Sequence, residues 1–120
     1  MSSIQLPPGA PGARILGLGE FRPRRRVTND DLAQVMDTND EWIQSRVGIA
    51  ERRWASEDET LVEMSVAAGG KALAASGLNA NDIDLVLLAT TSPPKAIPGL
   101  APRIAHQIGV PRPGAFDVNA

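Results

Sequence analysis

Two planar side chains, Trp42 and Arg46, stand four residues apart in the stretch DTNDEWIQSRVGI (residues 37 to 49) of a chain whose residues are only 3% aromatic. On a helix that spacing puts both on one face. An indole and a guanidinium facing each other can hold a flat heterocycle, because stacking uses both faces of the guest and the cation adds attraction to the π system; adenine has a suitable shape. The plainer reading is a tryptophan at the edge of the core with an arginine lying over it, worth about 0.5–1 kcal/mol at an exposed site. Helix geometry alone favours the plainer reading. Ile43 and Val47 form the neighbouring stripe and are expected to face the core.

Other groups offer less chemistry. Arg22, Arg24, Arg25 and Arg26 could cradle phosphates, although a solvated loop explains them better. GLGEFR, from residue 17, opens like a dinucleotide fingerprint, but Arg22 occupies the place of the third glycine and Pro23 argues against the helix that must follow. His106 is the only histidine, there is no cysteine, and no serine sits at a recognisable elbow, so no nucleophile–base pair can be assembled. The carboxylate pairs Asp30/Asp31 and Asp40/Glu41 fall where helices begin, which accounts for them. No His, Asp or Glu cluster has metal-ligand spacing. In ATTSPPKAIPG (residues 89 to 99) three prolines stiffen a loop that presents Ala96 and Ile97. This loop suits an interface or a pocket wall, and equally a simple connector.

These residues need elements to hold them. Residues 1 to 12 are Pro/Gly-rich and read as a flexible leader. A strand is expected over residues 13 to 21. Thr28 precedes a short helix, with Asp31 three places on and Leu32, Val35 and Met36 at helical spacing. Thr38 and Glu41 have capping-box spacing, which predicts a helix over 39 to 47 closed by Gly48 and Ile49. Thr60 and Glu63 repeat the pattern for a helix over 60 to 76, with Leu61, Met64, Ala68, Ala72 and Ala75 on one face and Gly77 closing it. The apolar run 84 to 92 predicts a strand covered on both faces. A helix follows over 99 to 109, with Pro102 in its first turn, and then a strand over 114 to 118. Strands alternating with helices indicate a layered α/β sheet. Residues 13 to 120 are expected to form part of one such domain, and the last strand delivers its C-terminal end, where open α/β sheets assemble their sites, at Ala120.

A formal net charge of −2 over 120 residues supplies no broad field for nucleic acid or an anionic membrane surface. No run approaches the roughly 20 apolar residues of a membrane span, and the opening residues lack a secretory pattern. The absence of cysteine removes disulfides and is consistent with a cytoplasmic protein.

The order T-N-x-D-L (28 to 32), D-T-x-D-E-W-I-x-x-R-x-G-I-x-x-R (37 to 52), A-T-T-S with its proline loop (89 to 92 and beyond) and A-F-D-V-N-A (115 to 120) resembles the N-terminal part of β-ketoacyl-acyl carrier protein synthase III. The resemblance covers residue 13 onward. It implies a thiolase-like layered α/β sandwich, of which part of the N-terminal half is present, and a homodimer. It implies an acyltransferase that condenses acyl-coenzyme A with malonyl-acyl carrier protein, losing carbon dioxide, to start fatty acid or polyketide chains. Coenzyme A thioester enters as substrate, and no cofactor or metal is implied. By the same resemblance Trp42 and Arg46 correspond to the pair that sandwiches the adenine of coenzyme A, with Thr38 as a hydrogen-bonding partner. Ile97 corresponds to a loop-tip residue that reaches the partner's acyl pocket in the dimer and helps set acyl length. Val47 departs from a threonine frequent in the family. The nucleophilic cysteine is expected two positions beyond Ala120, and the catalytic His and Asn much further on. His106 does not correspond to that histidine, so no catalytic residue is expected in these 120. Two other readings are a non-catalytic module binding coenzyme A or a carrier, and a related acyltransferase acting on a small molecule.

Overall fold

The computed structural model describes residues 12 to 95 and 97 to 119. The expected leader therefore lies almost wholly outside the described residues, as do Ala96 and Ala120.

Two groups of elements share the chain, and the extensive contacts between elements fall within one group or the other. The front group holds β1 (Arg25–Thr28), α1 (Asn29–Ala33), α2 (Asp40–Val47) and β2 (Glu51–Trp54), with β1 and β2 antiparallel from Arg25↔Trp54 to Thr28↔Glu51. The second group holds α3 (Leu61–Ser76), a 3₁₀ turn (Ala80–Asp82), β3 (Leu85–Ala89), α4 (Ala101–Ile108) and β4 (Gly114–Val118). Here β3 and β4 run parallel, from Leu85↔Gly114 to Ala89↔Val118, with α4 as the crossover. This is the α/β layering expected.

Local signals placed most of the helices. Thr28 caps α1, its hydroxyl accepting from the Asp31 amide at 3.1 Å while the Asp31 carboxylate accepts from the Thr28 amide at 2.8 Å. The helix stops at Ala33, and Val35 and Met36, expected to continue its apolar face, are exposed. With nothing to bury there, propagation gains too little. Thr60 and Glu63 form the same reciprocal cap on α3, and Gly77 ends it at φ 73°, a left-handed angle that favours glycine.

Three expectations fail. Residues 13 to 21 form no strand; the segment lies instead against α3, with Gly17 and Gly19 so close to its backbone that a Cβ at Gly17 would meet the Ala72 carbonyl and the Ser76 amide, and one at Gly19 the Ala68 carbonyl. Backbone contact of that kind requires glycine. Nor is α3 one-faced. Ala68 and Ala72 face the Gly17–Gly19 segment, while Val62 and Val66 join Leu88, Ala101, Ile104, Ile108 and Ala115 in the core. Finally, β3 is covered on one face only: Leu88 is buried, whereas Leu85 and Leu87 are exposed beside Phe116 and Val118 of β4. A radius of gyration of 18.5 Å, against roughly 14 Å for a compact domain of this length, fits a layer with an open face.

Candidate functional site

Helix α2 begins one residue later than its sequence suggested. Asn39 is the cap, with its side-chain oxygen accepting from the Trp42 amide at 2.8 Å. The expected Thr38–Glu41 box is absent, because with Asn39 at the cap the third helical position is Trp42. Thr38 is left with its hydroxyl buried and without a hydrogen-bond partner, a situation that costs about 1–3 kcal/mol. At the other end Gly48 takes φ 68° and its amide donates to Gln44 O at 2.8 Å.

Trp42 is 56% exposed. The Arg46 guanidinium carbon lies 5.8 Å from the indole centroid. A ring held between the two planes needs about 7 Å, two van der Waals separations of roughly 3.5 Å, so the present spacing of 5.8 Å leaves no room for one. In this arrangement the arginine covers one indole face. Ile43 is the helix's buried side chain, whereas Val47, expected beside it in the core, is 61% exposed. Burying α2 thus relies on a single apolar residue.

Polar anchoring supplies the rest, through a residue whose role the sequence did not disclose. Asn29, 1% exposed, donates from Nδ2 to Asp40 Oδ1 at 2.7 Å and to Ile49 O at 2.8 Å, and its Oδ1 accepts from Arg52 Nη2 at 2.7 Å. One amide ties α1 to both ends of α2 and to β2. Asp40 also accepts from Gln44 Nε2 at 2.6 Å. The bonds from Asn29 and then Gln44 hold its carboxyl below the ordinary value of 3.8, since they favour the charged form.

The arginine run is internally satisfied. Arg24 pairs with Asp58 and, at 3.7 Å, with buried Glu59; Arg26 pairs with Glu51; Arg22 reaches Glu20 at 3.1 Å. Arg25 lies 5.1 Å over Trp54, its cross-strand partner. These exposed, paired arginines fit a solvated role better than a phosphate cradle, but Arg25 and Arg26 stand in β1 and not in the expected loop. His106 is exposed near the end of α4, away from any nucleophile. Ile97 is 85% exposed in the loop between β3 and α4. A hollow of about 400 Å³ opens where β3 and β4 end, lined by Ala89, Thr90, Thr91 and Val118. On the α4 side of β4 the Asp117 carboxylate accepts from the Leu100 amide at 2.8 Å and the Ala101 amide at 2.7 Å. An acidic residue at an inward position of an apolar strand was the available signal for Asp117. Asn29 gave none, since asparagine after a capping threonine reads as a helix start.

No family model matches the chain. It is 46% identical over all 120 residues to β-ketoacyl-[acyl-carrier-protein] synthase III 1 of Streptomyces avermitilis, covering 34% of that protein. To the synthase III of Streptomyces glaucescens it is 43% identical, again over the whole chain and 36% of the relative. In fold it matches the priming β-ketosynthase of the R1128 polyketide pathway with a TM-score of 0.83 at 40% identity, covering 94% of this chain and 35% of that one. Over its whole length the chain is similar to the N-terminal part of these β-ketoacyl-[acyl-carrier-protein] synthase III proteins. The synthase III of Aquifex aeolicus agrees, with a TM-score of 0.82 over 91% of this chain and 35% of the other. The chain thus spans about a third of the length of these relatives, and its architecture is part of the thiolase-like layered fold. Among the described residues no helix is long and apolar enough to cross a membrane, and no group of His, Cys, Asp and Glu could hold a metal.

Proposed function

We propose that this segment is the coenzyme A-recognising front of a cytoplasmic, homodimeric type III β-ketoacyl-acyl carrier protein synthase, which condenses acyl-coenzyme A with malonyl-acyl carrier protein. The observation that carries the proposal is the half-exposed indole of Trp42 with the Arg46 guanidinium 5.8 Å from it, on a helix whose backbone is fixed at both ends, in a chain 46% identical to a synthase III. Adenine stacks on the indole, Arg46 opens to close over its second face, and the unpartnered Thr38 hydroxyl turns to bond the base or ribose. That bond relieves a buried polar group left unsatisfied in the free protein. The hollow at the ends of β3 and β4 lies where α/β sheets place reacting groups, and the proposed chemistry there calls for a thiolate nucleophile, a group that these 120 residues, which contain no cysteine, do not carry. Fatty acid and polyketide priming are both served by this reaction.

The test uses the protein translated from the complete coding sequence. Acyl-coenzyme A should quench Trp42 fluorescence, read in a Trp54→Phe background. Trp42→Ala should weaken binding by about 1–3 kcal/mol, the usual loss when a stacked base loses its aromatic platform, while carbon dioxide release from malonyl-acyl carrier protein persists at saturating acyl-coenzyme A. Quenching without any condensation would leave a binding module. Condensation with unaltered affinity in Trp42→Ala would refute the assigned role of the tryptophan.

A further inference from the structure

Asn29 is a buried side chain that must donate and accept at once. On one side stand two acceptors, the Asp40 carboxylate at 2.7 Å and the Ile49 carbonyl at 2.8 Å; on the other stands a cation, with Arg52 Nη2 donating to Asn29 Oδ1 at 2.7 Å. A primary amide offers two N–H donors and a carbonyl acceptor, which matches these surroundings. A carboxylate at position 29 would face Asp40 with like charge, and an apolar side chain would leave all three partners short of a bond. The anion of Asp40 and the cation of Arg52 polarise the amide in the same sense, so each bond strengthens the others. Arg52 belongs to β2, and its Nη1 reaches Val27 O of β1 at 3.5 Å. Through this arginine the amide is held in register with the two-stranded ribbon.

The two groups to which Asn29 donates bracket the helix that carries the indole. Asp40 is the first residue of α2, just ahead of Trp42, and Ile49 follows Gly48, the cap that closes the helix after Arg46. Ile43 is the buried side chain of α2, so little apolar area resists a turn of the helix about its axis. Any such turn carries Trp42 and Arg46 with it. We propose that Asn29 is a positioning residue for the nucleotide end of the substrate, and that it sets the preference for a coenzyme A thioester over the same thioester lacking the nucleotide. This rests on the proposed function and deepens it: Asn29 meets neither substrate nor reacting atoms and acts through Trp42 and Arg46. The adenine lies at the far end of the coenzyme from the thioester. A displaced α2 therefore withholds binding energy gained remotely from the reacting centre, and a thioester without that end has none of it to lose.

The experiment uses the protein from the complete coding sequence and compares condensation of acyl-coenzyme A with that of the matching acyl-pantetheine, each against malonyl-acyl carrier protein. The unsubstituted protein should prefer acyl-coenzyme A. Asn29→Ala should lower the ratio of kcat/KM between the two thioesters by about tenfold, a part of what loss of the stacking platform itself removes. Asp40→Ala breaks the same bond from its part-buried partner and should lower the ratio in the same direction; it takes the place of Asn29→Ala throughout if that variant fails to accumulate. In a Trp42→Ala background, where no platform remains to be placed, adding Asn29→Ala should leave the ratio where Trp42→Ala alone sets it. Equal loss with both thioesters is the mark of a merely weakened fold and overturns the positioning role, as does an unaltered ratio or a fully additive loss in the double variant. No condensation by the unsubstituted protein, or condensation without preference for the nucleotide-bearing thioester, sinks the proposed function and this inference with it. A normal preference that survives in Asn29→Ala and Asp40→Ala sinks this inference only.

Discussion

The two groups of elements are held together by opposite means. Behind, α3, β3, α4 and β4 enclose an apolar core of Val62, Leu88, Ala101 and Ile104, and polar ties such as that of Asp117 serve its edges. In front, α2 buries Ile43 alone and depends on the hydrogen bonds of Asn29 to reach α1, β2 and its own two ends. Apolar packing tolerates small displacements because it is non-directional. A buried amide making three bonds tolerates few, since each lost partner leaves a desolvated group unpaired. The helix that carries the half-exposed indole is therefore fixed by directional bonds, and the rear layer by area.

The largest effect that can break this contrast is in the rear core. Ile104→Ala, at a side chain 3% exposed, should cost about 2–5 kcal/mol in denaturant unfolding followed by circular dichroism, since it empties the contact between α4, β3 and α3. Coenzyme A binding by the molecules that remain folded should be close to normal. Asn29→Ala should invert the pattern. It removes a donor from Asp40 and from the Ile49 carbonyl and an acceptor from Arg52, and costs about 1–3 kcal/mol, but its main signature is weaker quenching of Trp42 by coenzyme A, because α2 loses its tether at both ends. If the two variants lost binding in equal proportion to stability, the front and rear would be one cooperative unit and the contrast would be void.

How much of this was legible beforehand follows the same division. Thr28, Thr60, Gly48 and Gly77 announce helix ends through local chemistry, and each stands where its residue type predicted. Strand β4 matches its sequence signal in full. What failed was non-local. Gly17 and Gly19 look like ordinary members of an apolar strand until their approach to the α3 backbone is seen. The arginines read as part of a solvated loop, yet Arg25 and Arg26 start β1 because β2 lies alongside. Thr38 lost the cap to its neighbour Asn39, a residue type that ranks above threonine at that position, and spacing alone did not separate them. For the site, Trp42 and Arg46 were visible as a pair at helical spacing, whereas Asn29 and Asp117, which tie down α2 and the start of α4, acquire partners only through the fold.

Acid sharpens the comparison with the smallest perturbation. Four carboxyls of the front and its junction are held below their ordinary values of 3.8 or 4.5: Asp31 by its bond from the Thr28 amide, Asp40 by Asn29, Asp58 by Arg24 and Glu59 by the Ser56 amide. In α3 the corresponding group is Glu63, lowered by the Thr60 amide. A carboxyl whose value is depressed on folding contributes stability that is complete above its unfolded value and disappears as pH falls through the folded one. The front should therefore loosen first as pH drops below about 4, while the rear, with its apolar core, follows later. Trp42 and Trp54 are the chain's two tryptophans and both belong to the front, so their fluorescence reports that region, whereas the circular dichroism at 222 nm is dominated by α3, the longest helix. Fluorescence should change at higher pH than ellipticity, and in Asp40→Asn, which has no charge left to lose at that position, the fluorescence transition should become shallower. Coincident transitions in the unsubstituted protein would mean that the hydrogen-bonded front draws its stability from the rear core instead of from its own network.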